Sequence, residues 1–344
     1  MTESMQTARH SESLATVEQR RRAPRGALQC AEGVVLVRPA HFAFNPETAA
    51  SNSFQQRPRS EDTAARARAE HQLLCDAIRD ADVRVCLIDD TPQPVKPDAI
   101  FPNNWVSWHR DGTVVLYPMS APNRRVERRP ELLARVAAEL GYRSWRLLDF
   151  SVHEREGRFL EGTGSLVLDH VHRVAYACRS VRTDESLVRA WARAMDYEPM
   201  VFDAHTRDGS APYHTNVLLA IGTCWVVVCA ESIAAADRER VLGSLRASGR
   251  DVIAIGQSAL CAFAANVIEL SARGAGGARR SVLVLSRSAA AALRAERDEA
   301  WPRLAARVDQ VLECEVSTIE HVGGGSVRCM CAEVPLADAR DDAR

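Results

Sequence analysis

A unit of β-hairpin, helix and strand recurs along this chain at intervals of about 50–60 residues, and such a repeat leaves few folds open. Trp105–His109 and Thr113–Tyr117 read as a hairpin about the Asp111-Gly112 turn, followed by a helix over Glu127–Leu140 and a strand over Ser144–Leu148. The second unit has strands Ser165–Leu168 and Arg173–Ala177, helix Asp184–Met195 and strand Pro199–Phe202. Strands Asn216–Ile221 and Cys224–Cys229, helix Ala234–Ala247 and strand Asp251–Ile255 make the third. Val267–Leu270 and Ser281–Leu285, a long helical region to Gln310 and strand Leu312–Val316 make the fourth. The fifth hairpin pairs Met330–Val334 with Val34–Val37 from the other end of the chain, with helix Glu61–Asp80 and strand Val83–Ile88 behind it. Completing the last unit with the N-terminal segment closes a ring, which removes the strand edges an open array would expose. A doubly wound sheet alternates single strands with helices and would not give hairpins this regularly. The expected fold class is α/β, a pseudo-fivefold ring occupying residues 30–338, with a disordered Arg-rich tail over 1–29 and a short C-terminal tail over 339–344.

A net charge of −1 gives no electrostatic case for nucleic acid or an anionic membrane as partner. The uncharged apolar stretch Thr215–Ala230 is too short and too interrupted by Gly222 to span a bilayer. The 10 cysteines lack paired spacing, which suits reduced thiols and a cytoplasmic location, and no set at zinc spacing is present. Lys96 is the only lysine, between Pro94 and Pro97, so a phosphate loop is excluded and Schiff-base chemistry is disfavoured. No metal and no cofactor are expected. The implied partner is a small molecule, and a homo-oligomer is left open.

Just before the first strand of each unit stand Asn104, Glu161, the His214-Thr215-Asn216 step, Asn266 and Cys329. In a ring, equivalent positions converge, so a thiol, an imidazole, a carboxylate and several carboxamides meet at one end of the central channel. That set supplies a nucleophile, its acid/base and an orienting partner. Cys329 follows Gly323-Gly324-Gly325 and is expected near the start of a strand-like run, Val327–Val334. His214 and Asn216, two apart on an expected strand, should face the same side. Singly, each residue also has an ordinary structural reading, as a buried thiol, a strand histidine or a turn amide.

The order Phe101-Pro102-Asn103-Asn104, Glu161-Gly162-Thr163-Gly164, His214-Thr215-Asn216 and Gly323 to Cys329 resembles the guanidino-group-modifying enzymes. These are the arginine deiminases, dimethylarginine hydrolases and amidinotransferases, built on the five-bladed α/β propeller called the pentein fold. The resemblance covers residues 33 to about 336 and is nearest to the amidinotransferase-like citrulline hydrolases, through Asp98 to Trp105, Phe159 to Ser165, Tyr213 to Asn216 and the Cys329 motif. It implies Cys329 as nucleophile, His214 as general acid/base and Glu161 as the carboxylate paired with that base. Arg124 (or Arg125 in its place) and Arg182 look like anchors for the substrate α-carboxylate, and Asp98 resembles the acid that holds the α-amino group.

One departure from the family pattern carries information. Arginine deiminases have aspartates where this chain has Asn104 and Asn216. A carboxamide donates to a carbonyl oxygen and accepts from an NH₂, which suits a neutral ureido group, whereas paired carboxylates suit a guanidinium. The expected activity is therefore hydrolysis of citrulline to ornithine, ammonia and carbon dioxide through a covalent cysteine intermediate. The alternatives are hydrolysis of, or amidino transfer from, arginine or a modified arginine such as N-succinylarginine, and a non-catalytic ring protein.

Overall fold

The structure, a computed structural model, describes residues 28–142, 145–274 and 278–336. Most of the expected N-terminal tail, the C-terminal tail and Ser144 at the start of an expected strand lie outside the described residues. Strands are numbered in chain order. Strand β1 (Gly33–Arg38) pairs in parallel with β2 (Arg84–Asp89), joined by the Thr63–Asp80 helix. The next sheet holds β3 (Val106–Trp108), β4 (Thr113–Leu116) and β5 (Arg146–Asp149), and the next β6 (Val167–Asp169), β7 (Val174–Cys178) and β8 (Glu198–Phe202). Strands β9 (Leu219–Ile221), β10 (Trp225–Val228) and β11 (Asp251–Ala254) form another, and β12 (Ile268–Arg273), β13 (Arg279–Ser286) and β14 (Gln310–Cys314) the one after. The last strand, β15 (Ala332–Val334), returns to β1, pairing Gly33 with Val334 in antiparallel register. Each of the five sheets thus has three strands, with the middle one antiparallel to its hairpin partner and parallel to the strand after the helix. The sheets are separate, and none closes on itself.

The middle strands explain why the apolar runs are nearly continuous. Side chains alternate across a strand, and here both faces are buried. On β1, Val34 and Leu36 join a core with Leu270, Val282 and Val284 of the β12–β14 sheet. Val35 and Val37 join another with Val106, Val114 and Leu116 of the β3–β5 sheet. On β4, Val115 turns the other way, toward Leu168, Ala175 and Val201 of the β6–β8 sheet. A fourth core joins Tyr176 and Phe202 of that sheet to Val226 and Ile253 of the next and Leu283 of the one beyond. Each such side chain, fully buried, contributes about 1.5–3 kcal/mol.

Helix bounds shift where local chemistry overrides periodicity. The helix expected from Glu127 begins only at Leu133, after a 3₁₀ turn at Pro130–Leu132, because the residue before a proline is pushed out of the helical region; Arg129 has φ −124° and ψ 66°. The long helical region after β13 is split into Arg287–Ala295 and Ala300–Ala305 at Asp298 and Glu299, which both adopt positive φ. No helix among the described residues is long and apolar enough to cross a membrane.

Candidate active site

The residues set at equivalent phases of the repeat sit on short helical turns that precede the strands. Pro102–Asn104 and Thr215–Val217 are 3₁₀ turns, and Gly162–Ser165 and Val327–Met330 are single helical turns headed by Glu161 and Ser326. This corrects two expectations. Cys329 lies inside a helical turn, because Ser326 Oγ donates to the buried Glu320 Oε1 (2.6 Å) and the Cys329 N–H closes on Ser326 O (3.0 Å), so the strand begins only at Ala332. His214 and Asn216 come together through the 3₁₀ turn rather than strand alternation: His214 is extended and Asn216 is already in the turn.

A cavity of about 260 Å³ opens between these turns and the loop over 45–55. Asp98, Asn104, Arg124, Arg182, His214 and Cys329 line it, while Glu161 and Asn216 stand behind this layer. The triple glycine forms one wall by close approach. Gly324 has φ +61°, and a Cβ there would fall 2.6 Å from Gln55 Cγ and 2.7 Å from Asn52 Nδ2. Its carbonyl accepts from Tyr213 OH (2.5 Å) and Asn52 Nδ2 (3.1 Å), two contacts the motif reading did not assign.

Glu161, completely buried, holds His214: His214 Nε2 donates to Oε2 at 2.9 Å, leaving Nδ1 as the basic nitrogen. Burial opposes ionisation of Glu161, but Arg182 (3.5 Å), His214 and Arg124 (3.8 Å) outweigh it and hold the carboxyl well below the usual range. Burial has the opposite consequence for His214. Its pKa falls to about 4, with Arg182 and Arg124 adding to the desolvation and Glu161 only partly opposing. Burial also raises the Cys329 thiol, against hydrogen bonds from Asn266 and Asn216. Both shifts favour the neutral thiol and neutral imidazole over a resting thiolate–imidazolium pair.

The two arginines are more engaged than simple anchors would be. Arg124 is forked onto Glu127, Nε at 3.0 Å and Nη2 at 3.0 Å, and its Nη1 donates to Asn104 Oδ1 at 2.8 Å. Arg182 donates from Nε and Nη2 to Ser51 Oγ (3.1 and 2.7 Å) and from Nη2 to Thr48 O (3.0 Å), strapping the 45–55 loop across the cavity. Each guanidinium has a further Nη1 hydrogen beyond these contacts. Arg125, the alternative, donates to Met119 O and Ser120 O outside the cavity wall. Glu127 was legible only as an i,i+3 partner of Arg124. Asp98 accepts from Asn45 Nδ2 (2.7 Å) and Thr48 Oγ1 (3.0 Å) on Oδ2, while its buried Oδ1 has no partner and so presents a carboxylate acceptor. Asn104 gives one Nδ2 hydrogen to Asn103 Oδ1 (2.9 Å), keeping the other. Lys96, buried and ion-paired to Asp90 (3.0 Å), staples the loop that carries Asp98.

Gly164 is the tightest joint in the site. A Cβ there would meet His214 Nδ1 at 2.6 Å and Asn104 Nδ2 at 2.7 Å, both on buried, hydrogen-bonded side chains. If His214 is the acid/base proposed below, Gly164→Ala is expected to leave a folded protein with kcat lowered about 100-fold, the usual result of moving such a group by an ångström. Steady-state kinetics beside near-ultraviolet circular dichroism checks this; unchanged kcat would show that His214 tolerates displacement.

Comparison with known proteins decides the family. The profile of the eukaryotic-type N,N-dimethylarginine dimethylhydrolases matches residues 38–336. The chain belongs to that family. With it comes the pentein guanidino-modifying superfamily and its hydrolase chemistry at guanidino carbon–nitrogen bonds. Among solved structures, the N-terminal domain of ArgZ, covalently bound to a reaction intermediate, matches with a TM-score of 0.66 and 14% identity over 88% of this chain and 98% of that one. ArgZ is an arginine dihydrolase of cyanobacteria. AgrE in complex with ornithine and NAD⁺ matches with a TM-score of 0.67 and 17% identity, covering 90% of this chain but 40% of AgrE. A dimethylarginine dimethylaminohydrolase adduct with S-methyl-L-thiocitrulline gives 0.58 and 16%, covering 88% and 99%. These likenesses establish a shared α/β fold. No curated protein sequence matches the chain. Among the described residues, no group of three or more His, Cys, Asp or Glu side chains is placed to hold a metal ion.

Proposed function

We propose that this protein hydrolyses the ureido group of citrulline, with Cys329 as nucleophile, His214 as acid/base and Glu161 holding His214. We read residues 30–338 as one catalytic domain and the five sheets as blades of a single ring, supported by the cores that join each sheet to its neighbours. The observation that carries the substrate reading is the surroundings of the sulfur. Among the described residues its side-chain hydrogen-bond partners are the carboxamides of Asn216 (3.6 Å) and Asn266 (3.2 Å), with no carboxylate on it. A sulfur lined by carboxamides and not by carboxylates offers no counter-charge to a guanidinium at that point, which suits a neutral ureido group.

The amino-acid end of the substrate sits on Asp98 Oδ1 and the remaining Nη1 hydrogens of Arg124 and Arg182. Sulfur attacks the ureido carbon, and the thiol proton passes to His214 Nδ1. His214 and Cys329 both line the cavity, and the reacting group is placed there between them. The proton then goes to the leaving nitrogen, and the carbon–nitrogen bond breaks to leave an S-acyl cysteine. Water, deprotonated by His214, completes hydrolysis and restores the thiol. Glu161 steadies the imidazolium that forms in each step.

A guanidino substrate is the second reading, favoured by the family and by charge. The buried carboxyls of Asp98, Glu127 and Glu161 outnumber the guanidinium groups of Arg124 and Arg182, although burial pushes Glu127 up to about 7, and arginine brings a further positive charge. Product analysis with citrulline, arginine and dimethylarginine separates the two. The citrulline reading expects kcat/KM for citrulline to exceed that for arginine by on the order of 10²-fold. It also expects Asn104→Asp with Asn216→Asp to make arginine a competitive inhibitor, through charge-assisted bonds of about 1.5–3 kcal/mol each. Faster turnover of arginine or dimethylarginine by the natural chain would replace citrulline as substrate.

A further inference from the structure

The sequence pattern puts Asn266 at the same phase as the other site residues, yet the mechanism above gives it no proton to move and no substrate to bind. Its surroundings are unusual. The side chain is fully buried, and its Nδ2 lies 3.2 Å from Cys329 Sγ and 3.1 Å from the backbone carbonyl of Asn216. A carbonyl oxygen only accepts, so the amide nitrogen must be the atom facing it. The same nitrogen faces the sulfur. Its orientation as a donor to Cys329 is therefore set by backbone, whatever the protonation state of the thiol. The other end of the carboxamide, Oδ1, is buried without any hydrogen-bond partner. Leaving a buried acceptor unsatisfied is costly, and such exceptions call for a functional explanation.

The sulfur needs such a donor, because no cation among the described residues is hydrogen-bonded to it and the charge of Arg328 favours the thiolate less than the Asn266 hydrogen bond does. Arg328 is the adjacent cation in sequence, but its guanidinium turns to Glu333 Oε2 (2.6 Å) and Cys331 O (3.1 Å). His214 is tied to Glu161, and its burial favours the neutral ring. Asn216 Nδ2 is farther from the sulfur, at 3.6 Å.

We propose that Asn266 is a further catalytic residue, whose Nδ2–H, aimed by the Asn216 carbonyl, stabilises the Cys329 thiolate as it forms and as it leaves the acyl intermediate. This rests on reading Cys329 as the nucleophile. Asn266 takes up no proton and breaks no bond; the S–H proton goes to His214, and the Asn266 hydrogen bond strengthens as charge develops on sulfur. The arrangement replaces a permanent ion pair with a neutral dipole, so the thiol stays protected until substrate arrives.

The test measures the Cys329 thiol directly. Iodoacetamide alkylation, read by mass spectrometry on the peptide carrying Cys329, is followed from about pH 6 to about pH 10 in the natural chain, Asn266→Ala and Asn266→Asp, each shown folded by near-ultraviolet circular dichroism. The alkylation midpoint is expected to rise by about one pH unit in the alanine variant and further in the aspartate variant, with roughly tenfold slower alkylation of the alanine variant at neutral pH. The kcat of Asn266→Ala should fall in parallel and recover as pH rises. An unshifted midpoint in the folded alanine variant overturns the proposal and makes Asn266 structural. Should the aspartate variant not fold, the alanine variant alone decides. Full activity in Cys329→Ala would instead overturn the nucleophile, whereas an inactive Cys329→Ala with an unshifted midpoint overturns Asn266 alone.

Discussion

Cys329→Ser is expected to keep the fold and lose turnover by on the order of 10³-fold or more, because a hydroxyl is far less ionised and less nucleophilic than a thiol near neutral pH. The fold should survive because the serine oxygen can accept from the same Asn266 and Asn216 amides that now face the sulfur, within a volume a hydroxyl fills with little change. In the natural chain, mass spectrometry of rapidly quenched turnover should find the acyl adduct on the peptide containing Cys329. Cys331, buried with Cys314 and Val316 in the β12–β14 core, is the control. Its thiol is pushed up by burial, and Cys331→Ala should remain active. Retained activity in Cys329→Ser, or an adduct on another cysteine, would move the nucleophile elsewhere.

Acid should unfold this protein early and steeply. Four histidines are held as neutral rings, three of them buried and His170 partly buried: desolvation lowers His71, His109 and His214 to about 4 and His170 to about 3, from 6.5. His109 is held by Ser107 Oγ (2.8 Å) and His170 by Tyr197 OH (2.7 Å), while neither ring nitrogen of His71 has a partner. Below pH 6.5 the unfolded chain takes up protons at these positions and the native chain does not. Their contribution is therefore complete above the unfolded pKa and is lost as pH falls toward the folded values. Each group contributes a slope of up to about 1.4 kcal/mol per pH unit, so together they approach about 5 kcal/mol per unit, against a total stability of about 5–15 kcal/mol. Urea unfolding should show a midpoint that is flat above about pH 7 and falls sharply by about pH 5. His71→Leu should flatten that fall by about a quarter, since it removes one titrating group without cutting a hydrogen bond. Equal midpoints at the two pH values would show that these rings gain protons within the fold.

Much of this was legible in the chain itself. The repeat marked all five sheets, because a strand buried on both faces writes a nearly continuous apolar run, as at Val34–Val37 and Trp225–Val228, and turn chemistry such as Asp111-Gly112 marks where the hairpin reverses. The same phase relation picked out Cys329, His214, Glu161 and the asparagines, since equivalent positions in repeated units are carried to one place. Sequence also excluded phosphate-loop chemistry outright, through the single lysine.

Tertiary structure decided what those residues are able to do. Pattern reading put Cys329 and the His214–Asn216 pair on strands, but helical turns place them, because buried side-chain bonds such as Ser326 to Glu320 override short runs of β-branched residues. The charge state of the site also lay beyond the sequence. Whether His214 rests as a cation depends on complete burial and on the guanidinium groups of Arg124 and Arg182, brought from distant segments, and those sums become definite only in three dimensions. Likewise, Asn266 became more than one asparagine in a series only when its amide was seen between a sulfur 63 residues away and a carbonyl 50 residues away, contacts that no local spacing encodes.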